Sequence, residues 1–265
     1  MNDARVADYL SRIGVRRPER LDADALRDLQ RAHLFAVPFE NLSIHLGEPI
    51  VLDEDALLAK LLDRRRGGFC YELNGAFAAL LTALGFRVSL LAARVFREDG
   101  FGPPFAHLTL RVELEEPWLV DVGFGAFSHH PLRLDATGEQ PDPAGVFEVV
   151  TQADEIEIVM NGRTAYRAER RERELRDFVP TCWWTETSPD SRFTQGLTCS
   201  LPTESGRVTL SGARLIETLD GEREERVLHG DAELLATYRE RFGIDLDRVP
   251  GRGGDSLGAR LRRPS

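Results

Sequence analysis

Cysteine is scarce in this chain of 265 residues, which has only Cys70, Cys182 and Cys199. An odd number of widely spaced cysteines excludes a fully paired disulfide framework and gives no zinc-ligand spacing. Long apolar runs are also missing, since the longest, around residues 76–84, is far short of the roughly 20 residues that span a bilayer. The first residues lack the basic start and apolar core of a signal peptide. We therefore expect a cytoplasmic protein with no metal site and no membrane partner.

Positive charge is in deficit, with 34 Lys and Arg against 44 Asp and Glu and a formal net charge of −10. Nucleic-acid binding requires a cationic surface, so this balance argues against a nucleic-acid partner. Hydrophobic residues make up 42% of the chain, as is usual for a folded globular protein. The sequence has neither a P-loop nor a Rossmann glycine motif. We therefore expect a globular protein that binds nucleotides through neither of these motifs.

The spacing of apolar residues changes from helical to strand-like after residue 85. The clearest helix runs from Cys70 to Leu84, with one apolar stripe and Gly85 as its cap. Other predicted helices are 21–33, 53–62 and 231–242, and the predicted strands are 86–96, 107–114, 118–124, 145–150, 155–160, 163–168, 207–210 and 213–219. This order predicts an α+β fold: helical over 1–85, an antiparallel sheet or small barrel over 86–191, mixed over 192–250, and a disordered tail at 251–265.

Cys70 has the most reactive setting of the three cysteines. It lies in the first turn of the predicted helix, directly after two glycines, and a helix N-terminus favours thiolate over thiol. The alternative is a small buried hydrophobe, the usual state of a free cysteine. Position alone does not separate the two interpretations. Cys182 and Cys199 have no comparable setting, and we expect them to be structural.

A nucleophilic thiol needs a base, and the base needs a group that orients it. Among six histidines, His107 differs because it starts a strand directly after a Gly/Pro loop. Asp121 is the third candidate, since a carboxylate between two valines is costly to bury unpaired. If Glu116 centres the turn, however, Asp121 faces Arg111 and lies roughly 13 Å from His107. Contact would need a turn centred near Leu114, a bulge or another pairing, so the sequence leaves both partners open.

Three blocks of the sequence resemble the arylamine N-acetyltransferase family. The order Cys, His, Asp and the chain length match as well, so the resemblance covers nearly the whole chain. After residue 127 it rests on the general pattern and on Ser191-Arg192-Phe193. The three blocks are Val37-Pro38-Phe39-Glu40-Asn41-Leu42, Arg66-Gly67-Gly68-Phe69-Cys70-Tyr71-Glu72-Leu73-Asn74 and Val120-Asp121-Val122-Gly123-Phe124-Gly125.

The resemblance implies a helical domain with the catalytic cysteine, an antiparallel β-barrel domain with the histidine and aspartate, and an α/β lid, on a transglutaminase-like core. It also implies that Cys70 is the acyl-accepting nucleophile, His107 its base and Asp121 the group that orients the histidine. The implied reaction is ping-pong: acetyl-coenzyme A acetylates the cysteine, and an aromatic amine, hydrazine or hydroxylamine then takes the acetyl group. Acetyl-coenzyme A is thus a co-substrate, and no cofactor is bound permanently.

The resemblance further implies an acceptor pocket, whose residues are Phe39, Val95, Phe124 and Phe193. Their alternative role is ordinary core packing. The resemblance assigns no residue to coenzyme A. The run at 64–66 of three arginines could attract an anionic donor, but a solvated helix end is the simpler interpretation of its first two members.

Three other functions fit the same residues. An amide synthase of the same family would join a polyketide acyl chain to an aromatic amine with the same triad. A transglutaminase-like or papain-like cysteine hydrolase would share the order Cys, His, Asp. A ligand-binding module with an inert cysteine would need no triad, and an unreactive Cys70 would reveal it.

Overall fold

The computed structural model describes residues 1–251. The disordered tail predicted at 251–265 therefore lies, apart from Gly251, outside the described residues. The helices are α1 (Asp3–Ile13), α2 (Ala23–Ala36), α3 (Leu42–Leu46), α4 (Glu54–Leu58), α5 (Cys70–Leu84), α6 (Val179–Thr187), α7 (Arg192–Gln195) and α8 (Asp231–Phe242). A π-helical turn (Ala59–Asp63) follows α4, and a 3-10 turn (Leu175–Phe178) precedes α6. No helix within residues 1–251 is long and apolar enough to span a bilayer.

The strands of the described part form two antiparallel sheets. The sheet of the middle region contains β2 (Arg87–Arg97), β3 (Gly100–Phe101), β4 (His107–Glu113), β5 (Pro117–Val120), β6 (Leu132–Arg133), β7 (Glu139–Asp142), β8 (Gly145–Gln152), β9 (Glu155–Met160) and β10 (Arg163–Arg173). The other sheet contains β1 (Phe39–Glu40), β11 (Thr198–Thr203), β12 (Gly206–Ser211), β13 (Arg214–Leu219) and β14 (Glu222–Val227).

Helix α5 is the central element of the N-terminal region, and it has the predicted bounds. Gly85 ends it with a φ of 108°, a left-handed conformation that glycine adopts without steric cost. Most of its apolar stripe is buried, and the helix packs against α1, α4, β2 and β4. The helix predicted at 53–62 differs, because α4 passes into the π-helical turn after Leu58. Buried residues of β4, Leu108 and Leu110, join the same apolar cluster, which places α5 against the sheet.

The middle sheet curls into a nearly closed antiparallel barrel, which confirms the predicted barrel. Its strand order is β6-β5-β4-β2-β10-β9-β8-β7, with β3 attached to β2. The gap between its two ends is bridged by one side chain: Gln140 on β7 accepts a hydrogen bond from the backbone of Arg133 on β6 at 2.8 Å and donates one back at 3.0 Å. Phe147, Ile158 and Tyr166 fill its interior.

The second sheet, in the order β1-β11-β12-β13-β14, packs on α8 through residues such as Leu210 and Tyr238. Strand β1 of the N-terminal region pairs with β11, with Phe39 opposite Ser200. This pairing attaches the C-terminal sheet to the N-terminal region that contains α5. Strand β14 was not predicted from the sequence, because all its residues are exposed and mostly charged. The division at residues 85, 191 and 250 into domains stays a prediction.

Candidate active site

Cys70 is the first residue of α5, and the two glycines before it are sterically required. A Cβ on Gly67 would lie 1.8 Å from the carbonyl oxygen of Pro38. A Cβ on Gly68 would lie 2.6 Å from Oε2 of Glu72, the oxygen that accepts a 3.3 Å hydrogen bond from the backbone of Phe69. The glycines therefore allow a carboxylate to cap the first turn of α5. This arrangement fixes Cys70 at the N-terminus of α5.

The turn between β4 and β5 decides which group reaches Asp121. Leu110 pairs with Val120 and Glu113 with Pro117, so the turn is centred on Glu115, one residue from each of the two centres considered from the sequence. Strand β5 ends at Val120, four residues earlier than predicted. Asp121 follows directly after the strand, at the level of Thr109, and Thr109 is two residues from His107 on β4. Arg111 pairs with Leu119 in this register and its guanidinium contacts Glu113, so the alternative pairing of Arg111 with Asp121 is wrong.

Three predicted residues meet at the junction of α5 and the barrel. Nε2 of His107 donates a 2.6 Å hydrogen bond to Oδ2 of Asp121, and the histidine side chain is also hydrogen-bonded to that of Cys70. Because Nε2 is occupied, Nδ1 is the ring nitrogen that faces the sulfur. Cys70, His107 and Asp121 expose 5%, 2% and 1% of their surface. The geometry is a buried chain of nucleophile, base and orienting carboxylate.

Asp121 receives four hydrogen bonds. Oδ2 accepts those of His107 and of the Tyr166 hydroxyl, the latter at 3.0 Å. Oδ1 accepts 2.9 Å bonds from Nδ2 of Asn74 and from the backbone of Gly123. An ionised carboxylate has about four acceptor sites, so Asp121 is fully used. Its neighbours thereby offset the cost of burying a charge.

The electrostatics of the pair follow from this enclosure. Burial alone would lower the pKa of His107, but the charge and hydrogen bond of Asp121, together with Cys70, raise it to about 10. Burial alone would raise the pKa of Asp121, but His107, Asn74 and Gly123 hold it below its ordinary value. The described structure therefore favours an imidazolium–carboxylate pair beside the thiol.

Asn74, Gly123 and Tyr166 are site residues that the sequence did not single out by role. Asn74 lies one turn after Cys70 on α5 and ties Asp121 to the helix, donating to Leu108 O at 2.7 Å as well. A Cβ on Gly123 would lie 2.6 Å from Cα of Cys70, so the loop approaches α5 at backbone distance. Two of the three sequence blocks contain Asn74 and Gly123, whereas no local signal marks Tyr166.

The four residues expected in an acceptor pocket differ in how directly they are connected to this centre. The ring of Phe124 stands edge-on to His107 at 5.1 Å between centroids, and that of Phe39 lies 6.2 Å from Phe193. All three phenylalanines are half-buried. Val95 is also half-buried, two residues beyond Ala93, which pairs with His107 across β2 and β4. Phe124 therefore contacts the base directly, and the assignment of all four residues to one acceptor pocket stays a prediction.

The first sequence block, residues 37–42, stabilises the structure around this site. Glu40 is fully buried and binds Nε of Arg66 at 3.0 Å, and Arg66 is buried with it. Nδ2 of Asn41 donates to the carbonyl oxygen of Phe193 at 2.9 Å, which anchors that residue near the cysteine. Arg64, in contrast, is exposed and pairs with Glu48. Of the three consecutive arginines, the last is therefore engaged in a buried ion pair.

The other two cysteines have no comparable partners. Burial raises the pKa of Cys182 and of Cys199 far above the ordinary value, and nearby carboxylates raise both further. Both side chains lie inside apolar clusters. These surroundings keep their thiols protonated, as in structural cysteines.

Comparison with known proteins agrees with this geometry. The family model for N-acetyltransferase matches residues 22–250. The arylamine N-acetyltransferase of Mycolicibacterium smegmatis is 35% identical over 256 residues, covering 92% of this chain and 93% of that protein. The Escherichia coli K12 enzyme of the same name is 34% identical over 248 residues, covering 90% and 88%.

Solved structures give the same result. The arylamine N-acetyltransferase of Mycobacterium marinum has a TM-score of 0.82 at 35% identity, covering 90% of this chain and 92% of that one. Its complex with CoA has a TM-score of 0.82 at 34% identity, with the same coverage. Sequence and fold agree over nearly the full length of both chains, and this chain belongs to the arylamine N-acetyltransferase family of acyltransferases.

Proposed function

We propose that the protein transfers the acetyl group of acetyl-coenzyme A to an aromatic amine, hydrazine or hydroxylamine through a thioester on Cys70. The observation that carries this proposal is the hydrogen-bonded chain of Cys70, His107 and Asp121 at the N-terminus of α5. A thiolate both attacks a thioester and leaves a thioester readily, as a two-step transfer requires.

In the first half-reaction, Nδ1 of His107 holds the proton that the Cys70 thiol has given up, and the sulfur attacks the carbonyl carbon of the donor. The new C–S bond forms, the old C–S bond breaks, and coenzyme A leaves with the proton from His107. The backbone N–H groups of Cys70 and Tyr71 start α5 and have no acceptor within the helix. Together with the helix dipole, they can stabilise negative charge that develops on the carbonyl oxygen.

In the second half-reaction, the amine attacks the acetyl carbon, its proton passes to His107, and the Cys70 sulfur is expelled. The histidine must therefore be neutral when the amine arrives. Cys70 contributes to raising the pKa of His107, and acetylation removes the thiol that makes this contribution. Loading the acetyl group thereby shifts His107 toward the basic form that the second step needs.

The acceptor pocket is assigned to Phe39, Val95, Phe124 and Phe193. Half-buried aromatic rings next to His107 offer faces and edges on which a planar aromatic amine can stack. A pocket of this composition contributes apolar contacts and few hydrogen bonds, which suits acceptors that share an aromatic ring and differ in their substituents.

The alternatives differ in the donor or the acceptor. An amide synthase would use the same three residues with an acyl chain on a carrier protein, and a hydrolase would use water. The CoA bound to the M. marinum relative favours coenzyme A as the donor here. A cytoplasmic location stays a prediction, in line with three free thiols.

Mass spectrometry of the protein mixed with acetyl-coenzyme A alone tests the proposal. We expect a gain of one acetyl group on the peptide with Cys70 and none on those with Cys182 or Cys199. Addition of an aromatic amine should remove the label and yield the acetylated amine. A Cys70→Ala variant that still becomes acetylated, or a label that the amine does not remove, would contradict the mechanism. Rapid loss of the label in buffer alone would instead indicate a hydrolase.

A further inference from the structure

The backbone just before His107 is held in an unusual conformation. Phe105 has a φ of 61°, in the left-handed region that a bulky residue enters only at a steric cost. Strained residues of this kind persist only where their surroundings hold them in place. Phe105 lies two residues before His107, so the contact that holds its backbone also affects the position of the base.

The group that holds this backbone comes from the first turn of α5. The hydroxyl of Tyr71 donates a 2.8 Å hydrogen bond to the carbonyl oxygen of Phe105. Tyr71 is fully buried, and its ring stands edge-on to that of Phe69 at 5.2 Å between centroids. Burial and the neighbouring Cys70 raise the pKa of Tyr71 well above its ordinary value. The phenol therefore keeps its proton and remains a donor.

Neighbouring contacts thus connect α5 with the start of β4. The side chain of Cys70 is hydrogen-bonded to that of His107. Tyr71, the next residue of the helix, is bonded to Phe105. Asn74 donates at 2.7 Å to the carbonyl oxygen of the residue after His107. The backbone on both sides of the base is therefore tied to the helix that carries the nucleophile.

We propose that Tyr71 is a positioning residue, whose hydroxyl keeps Nδ1 of His107 within hydrogen-bond reach of the thiol. This inference rests on the proposed two-step function, in which the same nitrogen holds the proton of the thiol and later that of the amine. Without the bond from Tyr71, the segment before His107 can relax out of its left-handed conformation. The groups that face His107 are Cys70 from α5, Asp121 after β5, Tyr166 from β10 and the uncharged ring of Phe124.

The first test measures the base itself and does not depend on activity. The imidazole of His107 is titrated by NMR in the wild type and in Tyr71→Phe, which removes the hydroxyl and keeps the ring. Cys70 is one of the groups that raise the pKa of His107. A looser contact with the thiol should therefore lower the titration midpoint by about half a pH unit or more. An unchanged or higher midpoint would overturn the inference.

The same substitution in a Cys70→Ala background separates positioning from a general loosening of the site. Without the thiol, the midpoint of His107 should agree to within about 0.2 pH unit with and without the Tyr71 hydroxyl. Equal lowering in both backgrounds would show that Tyr71 acts through the bond of His107 to Asp121 instead, and would refute the proposed role.

Tyr238→Phe is the matched control for the loss of a buried phenol. Its side chain is also fully buried, in the cluster around α8, and its hydroxyl has no hydrogen-bond partner among residues 1–251. The midpoint of His107 in this variant should equal that of the wild type. A lowering as large as that in Tyr71→Phe would show a general effect of removing buried hydroxyls and would overturn the inference.

A second test follows the acetylation half-reaction. Release of coenzyme A is measured in a single turnover over a range of acetyl-coenzyme A concentrations. The limiting rate of Tyr71→Phe should fall about tenfold, because a displaced base exchanges protons poorly, while the half-saturating concentration stays within about twofold. A higher half-saturating concentration with an unchanged limiting rate would make Tyr71 a donor-binding residue and overturn the inference. If wild-type Cys70 is never acetylated, the proposed function fails, and the titration still decides whether Tyr71 positions His107.

Discussion

Replacing Asp121 by asparagine should remove both the activity and a specific part of the pH dependence of stability. The carboxylate accepts four hydrogen bonds, but an amide accepts only through its one oxygen. The donors that meet the new NH2 group lose their acceptor, at a cost of roughly 1–3 kcal/mol each. The imidazolium of His107 also loses its counter-charge. By analogy with Ser-His-Asp enzymes, the rate should fall about 10³- to 10⁴-fold.

The pH dependence gives a sharper magnitude. Folding raises the pKa of His107 from 6.5 to about 10, so its stabilisation is complete below pH 6.5 and is lost as the pH rises through 10. Between pH 6.5 and about pH 9.5 the loss is about 3.5 kcal/mol. The Asp121→Asn variant lacks the charge that raises the pKa of His107, and burial lowers that pKa. The loss of stability between pH 6.5 and pH 9.5 should therefore disappear in the variant.

Urea unfolding at pH 6.5 and pH 9.5 measures the free energy of unfolding of the wild type and of Asp121→Asn. The contributions of titrating groups that both proteins share cancel in the comparison. We expect the wild type to lose about 3–4 kcal/mol more than the variant over this interval. A His107→Gln variant should resemble Asp121→Asn, because it lacks the titrating imidazole. Equal losses in all three proteins would refute the strong His107–Asp121 pair.

Three further substitutions, two of them with a control variant, test the site and its support. Cys70→Ser should lose at least about a thousandfold in rate, whereas Cys182→Ala should retain turnover if circular dichroism shows an intact fold. The opposite pattern would show that Cys70 is not the nucleophile. Gly123→Ala would place a Cβ 2.6 Å from Cα of Cys70. Acetylation should therefore fail even if the melting temperature drops only a few degrees. An active variant would exclude this close approach of the loop to α5. Arg66→Ala should lower the free energy of unfolding by up to about 3–5 kcal/mol, because it removes the nearer cation from buried Glu40 and leaves only Lys60 at 3.9 Å. Exposed Arg64→Ala should cost about 1 kcal/mol or less, and similar values for the two variants would argue against the buried pair.

The sequence by itself determined the features that depend on neighbours in the chain. The bounds of α5 follow from apolar spacing and from Gly85, and β9 has the predicted bounds of 155–160. The placement of Cys70 at a helix start is likewise local, because cap and stripe lie within a few residues of it. Local setting also selected His107 and Asp121 as candidates, and the family resemblance implied their roles, but the local pattern left their contact open.

Only the tertiary structure decided how these parts meet. A one-residue shift in the β4–β5 turn separates a contact with His107 from one with Arg111, and local pattern does not fix such a register. Burial of Arg66 depends on Glu40, 26 residues away, and the bond of Tyr166 to Asp121 spans 45 residues. Contacts of this range depend on how sheet, helix and loop are packed together, and no neighbouring residue encodes them. The reactive cysteine could thus be identified from the chain, whereas the charge balance of its base exists only in the folded protein.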